Sequence, residues 1–364
     1  MKILNVVGAR PNFIKIAPII EQMRKTDDIH PRLLHTGQHY DDNMNRVFFE
    51  QLEIPKPDFE LEVGSGTNAW QVGEIIKRFE AALNREKPDA VLVVGDVNST
   101  VACALVATYQ RIPVIHVEAG LRSFDRTMPE EINRTLTDRL SGLLFTTEKS
   151  AMKNLRNEGI ASEKIHFVGN VMVDTLLKFQ TLAETKSDIL DKLGLKRNAY
   201  VAMTLHRPVN VDSAKPLTSI LEAVVELARE TRVVFAIHPR AEKQVKKFNL
   251  FHLLEPLTLV PPQPYLDMLQ LMAHAQMVLT DSGGMQEEAT ILDVPCLTMR
   301  ENTELPVTLE IGTSVLVGND KNKILREARD ILKMGGKKGT RPELWDGRAA
   351  KRIVEVLARW KPST

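Results

Sequence analysis

The chain has 364 residues, of which 43% are hydrophobic and 26% are charged, and its net charge is +1. Such a composition is typical of a globular protein, and the length favours two domains because single cores stop growing near about 250–300 residues. The small net charge excludes the basic field that holds nucleic acid or an anionic membrane surface.

The start of the chain predicts no secretory signal, because Met1 and Lys2 lead directly into a short strand that polar residues follow. No apolar run approaches the ~20 residues of a membrane span. Both cysteines, Cys103 and Cys296, lie in apolar runs. This fits buried thiols in a reducing compartment, so we expect a cytoplasmic protein.

Short β-branched runs alternate with helical stretches along the chain, which is the pattern of parallel sheets flanked by helices. The strands predicted in the first half are Ile3–Val7, Arg32–His35, Ala90–Val94, Val114–Val117, Leu143–Thr146 and Ile165–Val168, with helices such as Trp70–Arg85 and Ser99–Tyr109 between them. Those predicted in the second half are Tyr200–Leu205, Val233–Ile237, Leu257–Val260, Met277–Thr280, Cys296–Met299 and Ser314–Val317.

The strand pattern pauses over a polar helix and linker, residues 174–197, which predicts two doubly wound domains with a hinge at 170–195. We expect an N-terminal domain over 1–170 and a C-terminal domain over 171–347. A last helix within 348–364 is long enough to pack back against the N-terminal domain. Ligands of open α/β sheets bind beyond the carboxyl ends of the strands, so two facing sheets would place the site in a cleft between domains.

The segment 279–288 (LTDSGGMQEE) is the most informative motif. An apolar strand runs into Ser282, Gly283 and Gly284, and a helix follows. The glycines let the backbone approach a ligand, and the free N–H groups of the first helical turn favour an anion such as phosphate. Glu288 follows about one turn later, where its carboxylate could accept hydrogen bonds from ribose hydroxyls. The alternative is an ordinary helix capped by Ser282.

Nearly every predicted strand is followed by an ionisable or strongly hydrogen-bonding residue, which solvated loops do not explain. These residues are Arg10, Lys15, Gln38, Asp96 and Glu118 in the first half, and His206, His238, Gln263 and Ser282 in the second. Arg10 is placed to pair with a phosphate in bidentate geometry. Glu118 follows a buried strand, where an unpaired carboxylate is costly.

Structural roles are the alternatives for several of these residues. Lys15 would then lie on a helix surface, and Asp96 would cap the helix near Ser99. Glu130 and its neighbour Glu131 would be first-turn acids of a helix. His206 and His238 could each be core histidines, although their matching places at strand ends argue against it.

No metal or cofactor motif is present in the sequence. The histidines are scattered without zinc-ligand spacing, so we expect no metal site. The loop Gly8-Ala9-Arg10 lacks the Gly-x-Gly-x-x-Gly fingerprint, which disfavours a nicotinamide cofactor. Walker A and Gly-x-Ser-x-Gly patterns are also absent. We therefore expect no cofactor.

Eight motifs occur in order over essentially the whole chain and resemble those of the non-hydrolysing UDP-N-acetylglucosamine 2-epimerases. They are GARP at 8–11, HTGQH at 35–39, GD at 95–96, HVEAGLR at 116–122, PEEINR at 129–134, HR at 206–207, TDSGGMQEE at 280–288 and DG at 346–347. The resemblance implies a GT-B fold, in which two Rossmann-like domains face an interdomain cleft, and a homodimer. It also implies a UDP-sugar substrate.

The resemblance assigns roles to single residues. It implies that UDP is held by Arg10, Lys15, His206, Gln263 and Ser282 to Gly284, with Glu288 on the ribose. It implies that Asp96, Glu118 and Glu130 surround the sugar. Gln38 and His238 complete the expected substrate contacts through their positions after strands, and His206 joins the carboxylates as an expected catalytic group.

The implied reaction is reversible C2 epimerisation of a UDP-2-acetamido sugar, from UDP-GlcNAc to UDP-ManNAc. The C2 proton has no neighbouring carbonyl, so direct deprotonation is very unfavourable. Anti elimination of UDP instead gives a glycal, to which UDP adds back after reprotonation from the opposite face. The departing diphosphate needs Arg10, His206 and the helix N-terminus to absorb charge, and the two faces need two acid–base groups. Which carboxylate is base and which is acid stays open.

The chain departs from the family pattern in places that bear on the substrate. Leu305 stands where many members have an arginine near the nucleotide, so Arg300 or another base must replace it. Asp41, and the lack of an arginine at 64–68, argue against activation by a second substrate molecule. The stretches 40–44 and 123–128 also resemble relatives that act on diacetamido-uronic acid sugar nucleotides.

Three other functions remain as alternatives at this stage. A hydrolysing epimerase would release free N-acetylmannosamine and UDP. A GT-B glycosyltransferase would need room for an acceptor beside the three carboxylates. A sugar-nucleotide sensor would bind without catalysis.

Overall fold

The computed structural model describes residues 1–38 and 56–361, and it divides into two compact units. The first unit contains Met1–Leu177 and Glu343–Thr364, and the second contains Lys178–Pro342. The first boundary falls seven residues beyond the predicted residue 170. His39 and the stretch 40–44, including Asp41, lie outside the described residues.

The first unit is built on a seven-stranded parallel sheet with the order β3-β2-β1-β4-β5-β6-β7. Its strands are β1 (Lys2–Val7), β2 (His30–His35), β3 (Phe59–Glu60), β4 (Ala90–Val94), β5 (Val114–Val117), β6 (Leu143–Thr146) and β7 (Ile165–Phe167). Its helices are α1 (Arg10–Met23), α2 (Asn68–Glu86), α3 (Asn98–Tyr109), α4 (Pro129–Leu140), α5 (Lys149–Asn157), α6 (Val171–Lys186, which continues into the second unit) and α15 (Ala349–Leu357).

The second unit has a six-stranded parallel sheet with the order β10-β9-β8-β11-β12-β13. Its strands are β8 (Tyr200–Met203), β9 (Arg232–Ala236), β10 (Thr258–Val260), β11 (Met277–Thr280), β12 (Cys296–Thr298) and β13 (Ser314–Leu316). Its helices are α7 (Ile189–Lys192), α8 (Pro208–Val211), α9 (Ala214–Leu227), α10 (Pro239–Lys247), α11 (Tyr265–Ala273), α12 (Gly283–Leu292), α13 (Pro306–Glu310) and α14 (Lys321–Met334).

The central strands are almost wholly apolar because helices cover both faces of each sheet. All five residues of β4 are buried, as are all four of β5 and all four of β11. Their hydrophobic runs were predicted with the bounds that the structure has. Several other predicted strands are too long at their carboxyl ends: Leu205 and Met299 lie beyond β8 and β12. The strands end before these residues, and the loops that carry the polar residues begin there.

The C-terminal segment belongs to the first unit. The indole of Trp345 is fully buried and donates a hydrogen bond to the carbonyl oxygen of Thr147 at 2.9 Å. The carboxylate of Asp174 accepts hydrogen bonds from the first N–H groups of α15, Ala349 at 3.1 Å and Ala350 at 2.8 Å. Burial raises the pKa of Asp174 to about 6, although these N–H groups oppose the shift.

Each sheet has one point where the strand order reverses direction, between β1 and β4 in the first unit and between β8 and β11 in the second. In open parallel sheets the loops separate at such points and leave a crevice at the carboxyl edge. The candidate residues follow these strands and their neighbours. Across residues 1–38 and 56–361, none of the helices is both long and apolar enough to cross a membrane.

Candidate active site

A buried ion pair occupies the switch point of the first unit. Lys15 of α1 and Glu118, which follows β5, have side chains only 11% and 8% exposed, and Lys15 Nζ lies 2.6 Å from the Glu118 carboxylate. A Cβ placed on Gly95 would lie 3.6 Å from that Nζ and 3.8 Å from Glu118 Oε1. The loops after β4 and β5 and helix α1 therefore meet at this pair. Lys15 is not a surface residue of the helix.

The backbone of Glu118 is strained. Its φ of +71° lies in the left-handed region, which residues other than glycine adopt rarely. Such strain costs about 1–3 kcal/mol and persists where the surroundings hold it, often at functional sites. The ion pair with Lys15 is one of the contacts that hold this carboxylate at the sheet edge.

Asn12 fastens the loop after β1 to the end of β4. Its side-chain oxygen accepts hydrogen bonds from the N–H groups of Gly8 at 3.2 Å and Ala9 at 2.9 Å. Its amide nitrogen donates to the carbonyl oxygen of Val94 at 2.9 Å. Arg10, the first residue of α1, is placed by this loop at the same edge of the sheet.

Asp96 does not cap the helix that follows it. The residue at the N-cap of α3 is Val97, which provides no side-chain hydrogen bond. The Asp96 carboxylate pairs instead with Arg134 of α4. The backbone carbonyl oxygen of Asp96 accepts a hydrogen bond from Asn133 Nδ2 at 2.9 Å. The structural alternative for Asp96 is therefore wrong, and the carboxylate is tied to the neighbouring helix.

The adjacent acids Glu130 and Glu131 have different surroundings. Glu131 is buried and accepts hydrogen bonds from the N–H groups of Ser123 at 2.9 Å and Phe124 at 3.0 Å, and from Arg134 Nη1 at 2.7 Å. It therefore anchors the loop that begins at Ser123. Glu130 is half-buried, and its side chain makes no hydrogen bond or ion pair with the described part of the chain.

A second buried network, which the sequence analysis did not identify, lies behind these carboxylates. His116 of β5 contacts Asp138 Oδ1 through Nδ1 at 2.7 Å and the carbonyl oxygen of Gly95 through Nε2 at 2.9 Å. Asp138 Oδ2 also accepts from the Gly120 N–H at 3.1 Å and lies 2.7 Å from Arg122 Nη2. The network thereby links the loops after β4 and β5 to α4.

Gln38 serves the fold of the first unit. Its side-chain oxygen accepts hydrogen bonds from the N–H of Ser99 at 3.0 Å and from the Ser99 hydroxyl at 2.7 Å, at the start of α3. Its backbone oxygen accepts from Gln71 Nε2 at 2.9 Å. The side chain is buried. The side-chain oxygen is therefore used within the fold. The predicted contact between Gln38 and the substrate stays a prediction.

The fully buried Asp281 organises the polar edge of the second unit. Its carboxylate accepts hydrogen bonds from the N–H groups of His206 at 3.1 Å and Arg207 at 2.8 Å, and from Asn210 Nδ2 at 3.2 Å. His206 Nδ1 lies 2.9 Å from Asp281 Oδ1. Burial alone would raise the pKa of Asp281, but the hydrogen bond and charge of the His206 side chain and the N–H groups of Arg207 and His206 together lower it.

Neither predicted histidine of the second unit is a core residue. The His206 side chain is 38% exposed, and His238 is exposed. His238 Nδ1 accepts a hydrogen bond from the N–H of Arg240 at 3.1 Å and caps α10. The two imidazole rings lie 5.6 Å apart between centroids. Gln263 is half-buried, and its Nε2 donates to the carbonyl oxygen of Pro261 at 2.6 Å.

Helix α12 begins at Gly283, directly after Ser282. Ser282 is the N-cap residue, but its side chain makes no capping hydrogen bond. The capped-helix alternative therefore does not account for Ser282, Gly283 and Gly284. The uncapped N–H groups of this first turn are suited to an anion.

Glu288 lies one turn along α12 and is buried. Its Oε1 accepts a hydrogen bond from the hydroxyl of Tyr265 at 3.0 Å. Burial and the Glu288 charge raise the pKa of Tyr265 well above its usual value, so the tyrosine remains a donor. This bond orients the Glu288 carboxylate, and the ribose contact stays a prediction.

Arg300 and Glu304 complete the edge after β12. Arg300 is buried, and its Nη2 donates to Glu304 Oε2 at 2.6 Å. Arg207 Nη2 lies 3.6 Å from the other oxygen, Glu304 Oε1. Leu305, at the position where the resemblance implies an arginine, is buried. Among the described residues, no group of three or more His, Cys, Asp or Glu side chains could hold a metal ion.

Comparisons with known proteins agree over almost the whole chain. A family model described as UDP-N-acetylglucosamine 2-epimerase matches residues 21–358. The UDP-N-acetylglucosamine 2-epimerase of Methanocaldococcus jannaschii is 43% identical over 99% of this chain and 100% of its own. The UDP-2,3-diacetamido-2,3-dideoxy-D-glucuronate 2-epimerase of Pseudomonas aeruginosa is 41% identical over 99% of this chain and 100% of its own.

A solved structure gives the same result. The crystal structure of Methanocaldococcus jannaschii UDP-GlcNAc 2-epimerase in complex with UDP-GlcNAc and UDP has a TM-score of 0.92 at 42% identity. The match covers 99% of this chain and 100% of that chain. The predicted fold class, two Rossmann-like α/β domains of the GT-B type, is confirmed. The chain belongs to the UDP-N-acetylglucosamine 2-epimerase family, whose members are isomerases.

Proposed function

We propose that the protein catalyses reversible C2 epimerisation of a UDP-2-acetamido sugar, with UDP-GlcNAc and UDP-ManNAc as the pair. The observation that carries the proposal is a set of three carboxylates near one edge of the first sheet: Glu118 pairs with Lys15, Asp96 pairs with Arg134, and the Glu130 side chain makes no ion pair with the described residues. The relative solved with UDP-GlcNAc and UDP, at 42% identity, supports the substrate class.

The second unit supplies the nucleotide contacts in this proposal. The uncapped first turn of α12, Ser282 to Gly284, binds the diphosphate, because N–H groups and the helix dipole favour negative charge there. His206, oriented by Asp281, donates to the same group. Glu288 accepts hydrogen bonds from the ribose, and His238 and Gln263 contact the remainder of UDP.

The first unit supplies the proton-transfer groups. Ion pairs with Lys15 and Arg134 hold the carboxylates of Glu118 and Asp96 in place, and we assign to these two residues proton transfer and the stabilisation of positive charge on the sugar ring. Glu130 makes no ion pair with the described residues and is therefore the candidate for a group that exchanges its proton during turnover. Arg10 and Lys15 also contact the diphosphate.

The reaction proceeds by elimination and re-addition. A carboxylate removes the C2 proton while the C1–O bond to UDP breaks, and a glycal forms. A protonated group on the opposite face then returns a proton to C2, and UDP re-forms the bond at C1. Electrons and atoms balance without an oxidant or reductant, so a redox cofactor has no step to perform. Each positioned acid or base contributes about 10²–10⁴-fold to the rate.

Incubation with UDP-GlcNAc in D₂O tests this function. We expect deuterium at C2 of the recovered UDP-sugar, observed by proton NMR. A sensor or a transferase gives no such exchange, and a hydrolysing epimerase gives irreversible release of UDP. Asp96→Asn and Glu118→Gln should lower exchange by two or more orders of magnitude while UDP still binds. Glu80→Gln, at an exposed position of α2, is the control.

The hexose has a second candidate. The Pseudomonas aeruginosa relative is a UDP-2,3-diacetamido-2,3-dideoxy-D-glucuronate 2-epimerase and is 41% identical over 99% of this chain. The loop that Glu131 anchors at Ser123 lies in the stretch that resembles such relatives. Comparing kcat/KM for C2 exchange with the two UDP-sugars decides which substrate the site accepts.

We also propose that the protein is a homodimer. Ile132 and Leu136 lie one turn apart on α4 and are 46% and 50% exposed, which is apolar surface suited to association. Light scattering measures the molar mass in solution, and a mass of one chain would contradict this assembly.

A further inference from the structure

The carboxylate of Glu304 lies at the start of α12, where the proposed function places the diphosphate. A Cβ added to Gly283 would lie 2.9 Å from Glu304 Oε1. Gly283 is the first residue of α12, and its helix has no side-chain cap. The absence of a Cβ thus lets the Glu304 carboxylate approach the helix N-terminus, where the helix dipole favours negative charge.

Two guanidinium groups hold this carboxylate. Arg300 Nη2 donates to Glu304 Oε2 at 2.6 Å, and Arg207 Nη2 lies 3.6 Å from Oε1. The resulting cluster has two positive charges and one negative charge around one side of Gly283.

Arg300 has donor capacity that this cluster does not use. The residue is 5% exposed, and its Nη1 is buried without a hydrogen-bond partner among the described residues. A buried donor without an acceptor costs about 1–3 kcal/mol, so a ligand oxygen that reaches Nη1 would gain that contact. Leu305 lies 3.7 Å from the same Cβ position on Gly283 and offers no charge. Arg300 is therefore the cation available to replace the missing family arginine.

We propose that the Glu304 carboxylate occupies the place of the diphosphate when no ligand is bound. The incoming diphosphate displaces Glu304 from Gly283 and binds Arg300 and Arg207 in its place. The inference rests on the proposed function of this edge as a UDP site. A diphosphate has more oxygens and more negative charge than a carboxylate, so it satisfies both guanidinium groups and the first turn of α12 together. Glu304 then competes with the ligand and lowers its affinity.

The test compares UDP with uridine by titration calorimetry of the full chain. Glu304→Gln removes the competing charge with little change of shape. We expect UDP to bind roughly three- to tenfold more tightly, the scale of one weakened charge-assisted contact, and uridine to bind with unchanged affinity. Glu301→Gln, at an exposed position of the same loop, removes the same charge and should change neither affinity. Weaker or unchanged UDP binding by Glu304→Gln overturns the proposal.

A second variant tests whether Arg300 binds the diphosphate. Arg300→Lys retains the charge but loses the forked donors, so UDP affinity should fall about tenfold or more while uridine affinity remains. Unchanged UDP binding would show that Arg300 does not receive the diphosphate. If Glu304→Gln does not fold, judged by circular dichroism, Glu304→Asp retracts the carboxylate and should also tighten UDP binding.

The two proposals fail in different ways. If the unsubstituted protein neither binds UDP nor exchanges deuterium at C2, the proposed function is wrong. If it does both, and Glu304→Gln binds UDP no more tightly than the unsubstituted protein, only the proposed role of Glu304 is wrong.

Discussion

Replacing Lys15 with methionine should destabilise the first unit by about 3–5 kcal/mol, because it leaves the Glu118 carboxylate buried without its cation. The pair is 2.6 Å apart, and the side chains are 11% and 8% exposed, so solvent screens the lost attraction little. The exposed pair of Lys25 and Glu21 is 2.8 Å apart with side chains 59% and 41% exposed. Lys25→Met is therefore a matched control and should cost less than about 1 kcal/mol.

Denaturant unfolding followed by tryptophan fluorescence measures this effect. The chain has three tryptophans, Trp70, Trp345 and Trp360, and all belong to the first unit. The signal therefore reports the unfolding of that unit even if the second unit unfolds separately.

A double substitution separates stability from catalysis. Lys15→Met with Glu118→Gln removes both charges, so the double variant should be more stable than the sum of the single effects predicts, by a coupling free energy of about 2–3 kcal/mol. C2 exchange should nevertheless stay absent, because the carboxylate is gone. Additive destabilisation by the two substitutions would refute the reasoning that this pair is held by mutual charge.

Three further predictions concern stability and binding. Because burial raises the pKa of Asp174 to about 6, above the unfolded value, its contribution to stability is greatest at low pH and is lost as pH rises through 6. Relative to Asp174→Asn, the unsubstituted first unit should gain about 1 kcal/mol in unfolding free energy between pH 7 and pH 5, and no gain would contradict the shift. Asp281→Asn weakens the support of His206, so UDP affinity and C2 exchange should both fall about tenfold by calorimetry and NMR, and an effect on neither would remove that role. Gly120→Ala would bring a Cβ within 2.5 Å of a backbone oxygen at a φ of +80°, whereas Gly159→Ala has a φ of +78° and open space. The first should cost at least about 2 kcal/mol more in the fluorescence assay, and equal costs would contradict the clash.

The sequence alone predicts the α/β fold because each strand is recognised from a short run of neighbouring residues. The runs that form β4, β5, β6 and β11 are buried on both faces, so they are continuously apolar and their bounds are legible in the chain. The polar residues that follow these strands can be identified from the sequence as well, because a loop begins where the apolar run ends. The motif resemblance added the family, which the comparisons confirm.

The partners of the polar side chains depend on the tertiary structure, because residues far apart in sequence meet at the carboxyl edges of the sheets. Glu118 is 103 residues from its partner Lys15, and Asp281 is 75 residues from His206. Glu130 and Glu131 have the same side chain and adjacent positions on α4, and only their packing makes one half-buried and the other a buried anchor of the Ser123 loop. Which acid is buried depends on the face that the helix turns towards the sheet, and that orientation is set by contacts over the whole unit.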